Sequence, residues 1–146
     1  MKIVRAMKQV KRLQGEIKEL QKRVSSCMNT IEGNEFTEKF DDLLSELSEK
    51  KLKLRTLKNG IMCANIQGSM FNKILELGEL KSHIDFLREL KPQAGITESS
   101  YGETAQKKIS QWTVASKNKA VQETQSKINS LTDELDDFNA KTDIVK

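Results

Sequence analysis

A heptad repeat in the N-terminal part of the chain constrains its fold more than any other feature. One heptad position holds only β-branched residues: Ile3, Val10, Ile17, Val24 and Ile31. The other apolar position holds Ala6, Leu13, Leu20 and Cys27. Steps of three and four residues place both series on one side of an α-helix, and this combination is typical of two-helix coiled coils. The pattern predicts a helix over about residues 2–32, whose narrow apolar seam a partner helix covers.

The second predicted helix, over about residues 37–65, carries a matching seam. It follows the segment 32–35, in which Gly33 suits a helix C-cap, and Thr37 suits the N-cap of the new helix. Lys50 occupies one seam position and should weaken the seam there or set its register. The other seam positions are apolar: Phe36, Phe40, Leu43, Leu47, Leu54, Leu57 and Ile61.

Two further helices are predicted over about residues 70–91 and 113–145, with an irregular segment, 92–113, between them. The third helix should stop before Pro92, because the residue that precedes a proline disfavours the helical conformation. Its apolar residues lie on more than one side, so we expect it to be the most buried element. Thr113 suits the N-cap of the fourth helix.

Charge is segregated along the chain, although the formal net charge is only +4. Residues 1–24 hold eight basic and two acidic side chains, a balance of +6, while residues 32–49 hold one basic and seven acidic, a balance of −6. A third block, 123–143, has two basic and six acidic side chains, a balance of −4. Opposite blocks on consecutive helices favour an antiparallel hairpin, because the neighbouring segments then attract each other.

We therefore predict an all-α fold. Its centre is an elongated antiparallel helical hairpin, which the third and fourth helices extend into a coiled-coil bundle of about four helices. The whole chain, 1–146, is expected to form a single helical domain.

The cysteines and the hydropathy pattern lead us to expect a cytoplasmic protein. An antiparallel hairpin separates Cys27 from Cys63 by tens of ångströms, well beyond the ~7 Å between Cα atoms that a disulfide tolerates. No run of about 18 apolar residues exists that could span a membrane. Charges interrupt the apolar residues at the N-terminus, whereas a secretory signal has an uninterrupted apolar core. Both thiols are expected to be reduced.

Catalysis, cofactor binding and metal binding are not expected, and we predict a protein that is not an enzyme. His83 is the only histidine and the two cysteines are far apart, so three or four nitrogen and sulfur ligands for zinc cannot be assembled in one chain. No glycine-rich phosphate loop or Ser/His/Asp order is present. Mixed chemistry gathers at Tyr101, Lys107, Lys108 and Trp112, but the simpler interpretation is that Ile109 and Trp112 plug one end of the bundle.

A basic stripe on the first helix is the one candidate binding site. Its side chains point away from the seam, where they could contact phosphates or other anions: Lys8, Lys11, Arg12, Lys18 and Lys22. Such outward positions are polar in most coiled coils, and no aromatic residue or glycine interleaves them as in base-stacking modules. Docking on an anionic membrane is less favoured still, because the apolar stripe is narrow and lacks aromatics.

The sequence thus predicts a coiled-coil interaction or structural protein that self-associates as a dimer or higher homo-oligomer, with room for a further protein partner. The seam of the first helix and the broad apolar sector of the third cannot both be covered by one thin monomer. Two alternatives stay open. One is a nucleic-acid-binding accessory protein that uses the basic stripe, although we do not expect such binding to be tight. The other is a prefoldin-like holdase.

Several short motifs resemble a small family of uncharacterised bacterial helical proteins called septicolysin-like. They are Arg12-Leu13 with Ile17 and Leu20, residues 32–35, Leu43-Leu44-Ser45-Glu46-Leu47, Asn65, Leu87-Arg88-Glu89-Leu90, and Asp133-Glu134-Leu135-Asp136 followed by Asn139. The chain departs from the family at Met62-Cys63-Ala64 and Gly78-Glu79. The resemblance implies a helical fold and supplies no catalytic residues, and the cytolytic activity in the family name is not carried over.

Overall fold

The computed structural model describes residues 1–97 and 106–145, and Tyr101 therefore lies outside the described residues. The described residues form four helices and two short strands: α1 (Ile3–Cys27), α2 (Phe40–Gln67), α3 (Phe71–Glu89), β1 (Gly95–Thr97), β2 (Gln106–Lys108) and α4 (Val114–Lys141). The all-α prediction with four helices is confirmed. The strands pair antiparallel, with Gly95 opposite Lys108.

The chain divides into two compact units, each of which is described by itself. The first, here called the hairpin unit, comprises Met1–Phe71 and Asp136–Lys146. The second, the α3 unit, comprises Asn72–Leu135. The prediction of a single domain over 1–146 stays a prediction.

The antiparallel pairing of α1 with α2 forms the core of the hairpin unit. One cluster joins the second half of α1 to the first half of α2, and another joins Ala6 and Leu13 to Leu57. The predicted seam of α1 is confirmed as far as its last turn, since its buried residues are seam residues: Ile3, Ala6, Leu13, Ile17, Leu20 and Cys27. On α2 the seam residues Leu43, Leu47 and Leu57 are buried.

The segment that connects α1 to α2 is longer than the sequence predicted, because α1 ends earlier and α2 begins later. Helix α1 stops at Cys27 rather than about residue 32, and Ile31 is 76% exposed. The last turn contains serines that compete for backbone groups, and Ser26 Oγ donates to the carbonyl of Arg23 at 2.9 Å. Gly33, with φ of 91°, therefore lies in the connecting turn and is not a C-cap.

The predicted N-cap of α2 is wrong as well. The helix begins at Phe40, and Lys39 precedes it in an extended conformation without a side-chain capping bond. The carboxylate of Glu38, next to the expected cap, pairs with Arg23 of α1. This tertiary contact holds the connecting segment against α1, and local capping patterns do not contain it.

The C-terminal segment closes the open end of the hairpin. The N–H of Ile3 donates to the carbonyl of Thr142 at 2.9 Å, and the N–H of Ile144 donates to the carbonyl of Met1 at 2.9 Å. Asp143 accepts from Lys2 at 2.8 Å and from the N-terminal ammonium at 3.0 Å. These contacts explain why α4 ends at Lys141 rather than about residue 145, because the last residues pair as an extended segment.

Within the α3 unit, α3 and α4 run antiparallel. Lys73 pairs with Glu134, and Arg88 Nη2 donates to Gln125 Oε1 at 3.3 Å. The predicted N-cap of α4 is confirmed, since Thr113 Oγ1 accepts from the N–H of Ser116 at 3.0 Å. Helix α4 begins at the next residue, Val114.

The expectation that the third helix is the most buried element is wrong. Only Ile84 and Leu87 of α3 are buried, whereas α1 buries six residues. Off its buried stripe, Leu75 is 51% and Phe86 is 56% exposed. The breadth of an apolar sector shows how much surface a helix could bury, but the described chain supplies no element that covers it.

Candidate interaction surfaces of the hairpin unit

The polar seam residue Lys50 is held by a charge network that crosses the hairpin. Its Nζ lies 2.8 Å from Glu16 Oε2 on α1, while Arg12 Nε lies 2.7 Å from Glu16 Oε1. Hydrogen bonds from Lys50 first, and from Arg12 second, lower the pKa of Glu16 to about 2. The hydrogen bond to Glu16 raises the pKa of Lys50. The network sets which turn of α1 faces which turn of α2, as expected for a polar residue at a seam position.

The predicted basic stripe of α1 is exposed at all five positions, and the side chain of Arg12 is 82% exposed although it pairs with an acid. Arg12 turns sideways to Glu16, and Lys22 pairs with Glu19 of its own helix at 3.0 Å. Lys8, Lys11 and Lys18 are exposed, and among the described residues none of the three forms an ion pair. The structure therefore exposes all five predicted residues, of which Arg12 and Lys22 pair with acids of the same helix.

The sign of the charge changes along helix α2, from acidic residues to basic ones, within a few turns. Residues 38–49 contain one base, Lys39, and five acids: Glu38, Asp41, Asp42, Glu46 and Glu49. Residues 50–58 contain no acid and five bases: Lys50, Lys51, Lys53, Arg55 and Lys58. Counting charge within one predicted helix, rather than over the blocks of the whole chain, would have found this polarity.

A second row of residues on α2, here called the outer stripe, is exposed along its whole length. Steps of three or four residues relate its members, so they share one side of the helix. They are Asp41, Leu44, Ser48, Leu52, Arg55, Asn59, Met62 and Ile66. Leu52 is 54% exposed and Ile66 is 56% exposed, although both are large and apolar. Four of the eight members are therefore hydrophobic residues in contact with solvent.

Two concavities adjoin the outer stripe. One, of about 370 Å³, is lined by aliphatic and basic side chains of α2, among them Leu54, Arg55 and Met62. The other, of about 700 Å³, lies at the tip of the hairpin, where apolar residues are rimmed by acids. Its lining includes Cys27, Met28, Phe36, Phe40, Asp41 and Asp42. The apolar surface of the hairpin unit thus continues from the tip onto α2.

Two other residues named in the sequence analysis, His83 and Ile109, belong to the α3 unit. His83 is exposed, with its ring centroid 6.2 Å from that of Phe86. Within the described ranges, no three His, Cys, Asp or Glu side chains group as metal ligands would, and no helix has the length and apolar composition of a membrane span. Ile109 is 87% exposed, so the expectation that it plugs one end of the bundle is wrong.

Comparisons with known proteins place the chain in a family. A crystal structure of a functionally unknown conserved protein from Corynebacterium diphtheriae has the same fold, with a TM-score of 0.80 and 17% sequence identity over 99% of each chain. A search of curated proteins finds no match. The septicolysin-like resemblance stays a prediction. Residues 11–144 match the model of a family of unknown function, DUF6847, and the chain belongs to that family.

Proposed function

We propose that this chain is a non-enzymatic coiled-coil interaction protein that self-associates through its hairpin unit. The observation that carries the proposal is the outer stripe of α2. The seam of α2 already packs on α1, yet a second row on the same helix exposes four large apolar side chains. Isolated surface hydrophobics are normal, whereas contiguous apolar rows beside polar residues are typical of protein interfaces.

The rigidity of the hairpin unit supports this role. The seam, the Lys50–Glu16 bond and the paired C-terminal segment hold α2 in place before any partner arrives. A preorganised helix loses little conformational entropy on association, so a modest apolar surface is enough to favour binding. A homo-oligomer with closed symmetry is the simplest outcome.

Substitution of the outer stripe tests the proposal. We expect the double variant Leu52→Ser/Met62→Ser to lower the mass measured by light scattering at micromolar concentration while circular dichroism stays helical. The matched control is Val4→Ser/Met7→Ser, which changes two exposed apolar residues of α1. Equal loss of mass in both variants would contradict a role for the outer stripe, and a monomeric wild-type protein would contradict self-association itself.

A second candidate is weak binding of nucleic acid or other polyanions through the basic stripe of α1. The observation that favours it is the exposure of Lys8, Lys11 and Lys18 without acidic partners among the described residues. We expect wild-type affinity no tighter than the non-specific range of ~10⁻⁴–10⁻⁶ M at physiological salt, because the acidic half of α2 lies in the same unit. Submicromolar binding that disappears when Lys8, Lys11, Lys18 and Lys22 are all changed to Glu would favour this candidate instead.

We also propose a cytoplasmic location. Cys27 and Cys63 are both free in the structure, and Cys27 is buried in the seam. Thiols are kept reduced in the cytosol, whereas oxidising compartments favour disulfides. Titration of the denatured protein with a thiol reagent, after purification without reductant, should find both thiols reactive. Fewer than two would contradict the proposal.

A further inference from the structure

We infer that the partner of the outer stripe is a second copy of this chain, bound so that the two α2 helices run antiparallel about a two-fold axis near Ser48. The inference rests on the proposed self-association and adds to it the surface, the orientation and the register. It names a juxtaposition that can be tested residue by residue: Asp41 against Arg55 of the second copy.

The charge order along α2 selects the antiparallel orientation. Acids precede residue 50 and bases follow it, as far as Lys58. Two antiparallel copies place the acidic half of each helix beside the basic half of the other. Two parallel copies would place acids against acids and bases against bases, and such like-charge contacts are unfavourable in an interface.

The charge order and the outer stripe together set the register. Leu44 and Leu52 lie four residues to either side of Ser48, and Asp41 and Arg55 lie seven residues to either side. At ~1.5 Å of rise per residue, an antiparallel copy that crosses at Ser48 brings each of these pairs to the same level. Leu44 then meets Leu52, Asp41 meets Arg55, and Ser48 meets its own copy. Such self-complementarity is the property of a two-fold interface.

Contacts within the chain already occupy two other parts of the α2 surface. The seam packs on α1, and Gly60 is covered by the C-terminal segment, whose Val145 N–H donates to the Gly60 carbonyl at 3.3 Å. The basic stripe of α1 would repel its own copy. On the outer stripe, the charge order and the exposed apolar residues both favour a second copy of this chain as the partner.

Charge reversal tests the Asp41–Arg55 contact. We expect Arg55→Glu and Asp41→Arg each to weaken the dimer about tenfold, because a two-fold interface contains each pair twice and exposed pairs contribute modestly. The double variant Asp41→Arg/Arg55→Glu should restore wild-type affinity. The matched control Lys18→Glu changes the charge of an exposed base on α1 by the same amount and should leave the dimer intact.

The outcomes separate this inference from the proposal on which it rests. A monomeric wild-type protein would contradict both the inferred pairing and the proposed self-association. A wild-type dimer that tolerates Arg55→Glu as well as Lys18→Glu, or a double variant that is no tighter than either single one, overturns the orientation and leaves self-association standing. Retained helicity by circular dichroism shows that a weakened variant has not simply unfolded.

Cross-linking gives an independent measurement of the orientation. In a Cys63→Ser background, in which the one remaining native thiol is the buried Cys27, we expect Ser48→Cys to form a disulfide-linked dimer under mild oxidation. Leu44→Cys mixed with Leu52→Cys should cross-link faster than either variant alone. Faster linkage of Leu44→Cys to itself would show a parallel arrangement and overturn the inference, as would the absence of Ser48→Cys linkage in a dimeric protein.

Discussion

The side chain of Lys50 on α2 donates to Glu16 on α1 across the hairpin, with 2.8 Å between Nζ and Oε2. Both side chains are about one-quarter to one-third exposed, so the pair lies at the border of the apolar seam. A lysine at a seam position would ordinarily weaken the coiled coil, but here it finds an acid one helix away. The pair joins the two helices between the apolar clusters of the seam.

Stability at acid pH should depend on Glu16. Its ordinary pKa of 4.5 is lowered to about 2 in the folded protein, so the carboxylate contributes stability above pH 4.5 that is lost as pH falls toward 2. We expect the urea midpoint of the wild-type protein to fall more over this window than that of Glu16→Gln. Glu38 and Asp143 also have lowered pKa values, so the variant keeps part of the dependence.

The matched control for that series is Glu19→Gln, which removes an acid from an exposed pair with Lys22 of the same helix. Its pH profile should follow that of the wild-type protein. Wild-type and Glu16→Gln midpoints that stay parallel from pH 5 to pH 2 would contradict the role given to the network.

Two glycines on the hairpin should respond oppositely to alanine. A Cβ at Gly60 would lie 2.6 Å from the Val145 carbonyl oxygen, whereas at Gly15 it meets nothing within 4 Å. Gly15→Ala should stabilise the protein by about 0.5–1 kcal/mol through helix propensity. Gly60→Ala should instead destabilise it by about 1–3 kcal/mol, because the C-terminal segment must move. Thermal unfolding gives both values, and a stabilised Gly60→Ala would contradict the close approach.

Truncation at two seam positions should show where the coiled coil of α1 ends. Leu20 is 2% exposed and Ile31 is 76% exposed, although both fit the heptad pattern. Leu20→Ala should cost about 2–5 kcal/mol of unfolding free energy, whereas Ile31→Ala should stay within about 0.5 kcal/mol. Urea denaturation measures both, and a large cost at Ile31 would mean that the helix continues beyond Cys27.

Some parts of the fold can be predicted from local sequence patterns, and others cannot. The seam from Ile3 to Cys27 was predicted because burial there repeats with the helix period, which is visible in one chain. The start of α2 was not predicted, because the Glu38–Arg23 contact joins the connecting segment to α1 and local capping patterns do not contain it. The shallow burial of α3 was missed because periodicity identifies an apolar face but not whether the chain supplies a cover for it.

The candidate surfaces were predicted unevenly for a related reason. The basic stripe of α1 follows from position and charge alone, and in the structure Arg12 and Lys22 pair with acids of the same helix. The outer stripe of α2 mixes Leu44 and Leu52 with Asp41 and Arg55, so no simple amphipathic pattern marks it. It becomes visible once the seam is assigned to α1 and the remaining exposed residues are placed on the helix.

The mass of the wild-type protein in solution tests the central claim most directly. Light scattering across micromolar concentrations should give twice the chain mass of 16.6 kDa, since the outer stripe is proposed to pair two copies. A mass of 16.6 kDa throughout that range would contradict self-association, and with it the inferred pairing of the two α2 helices.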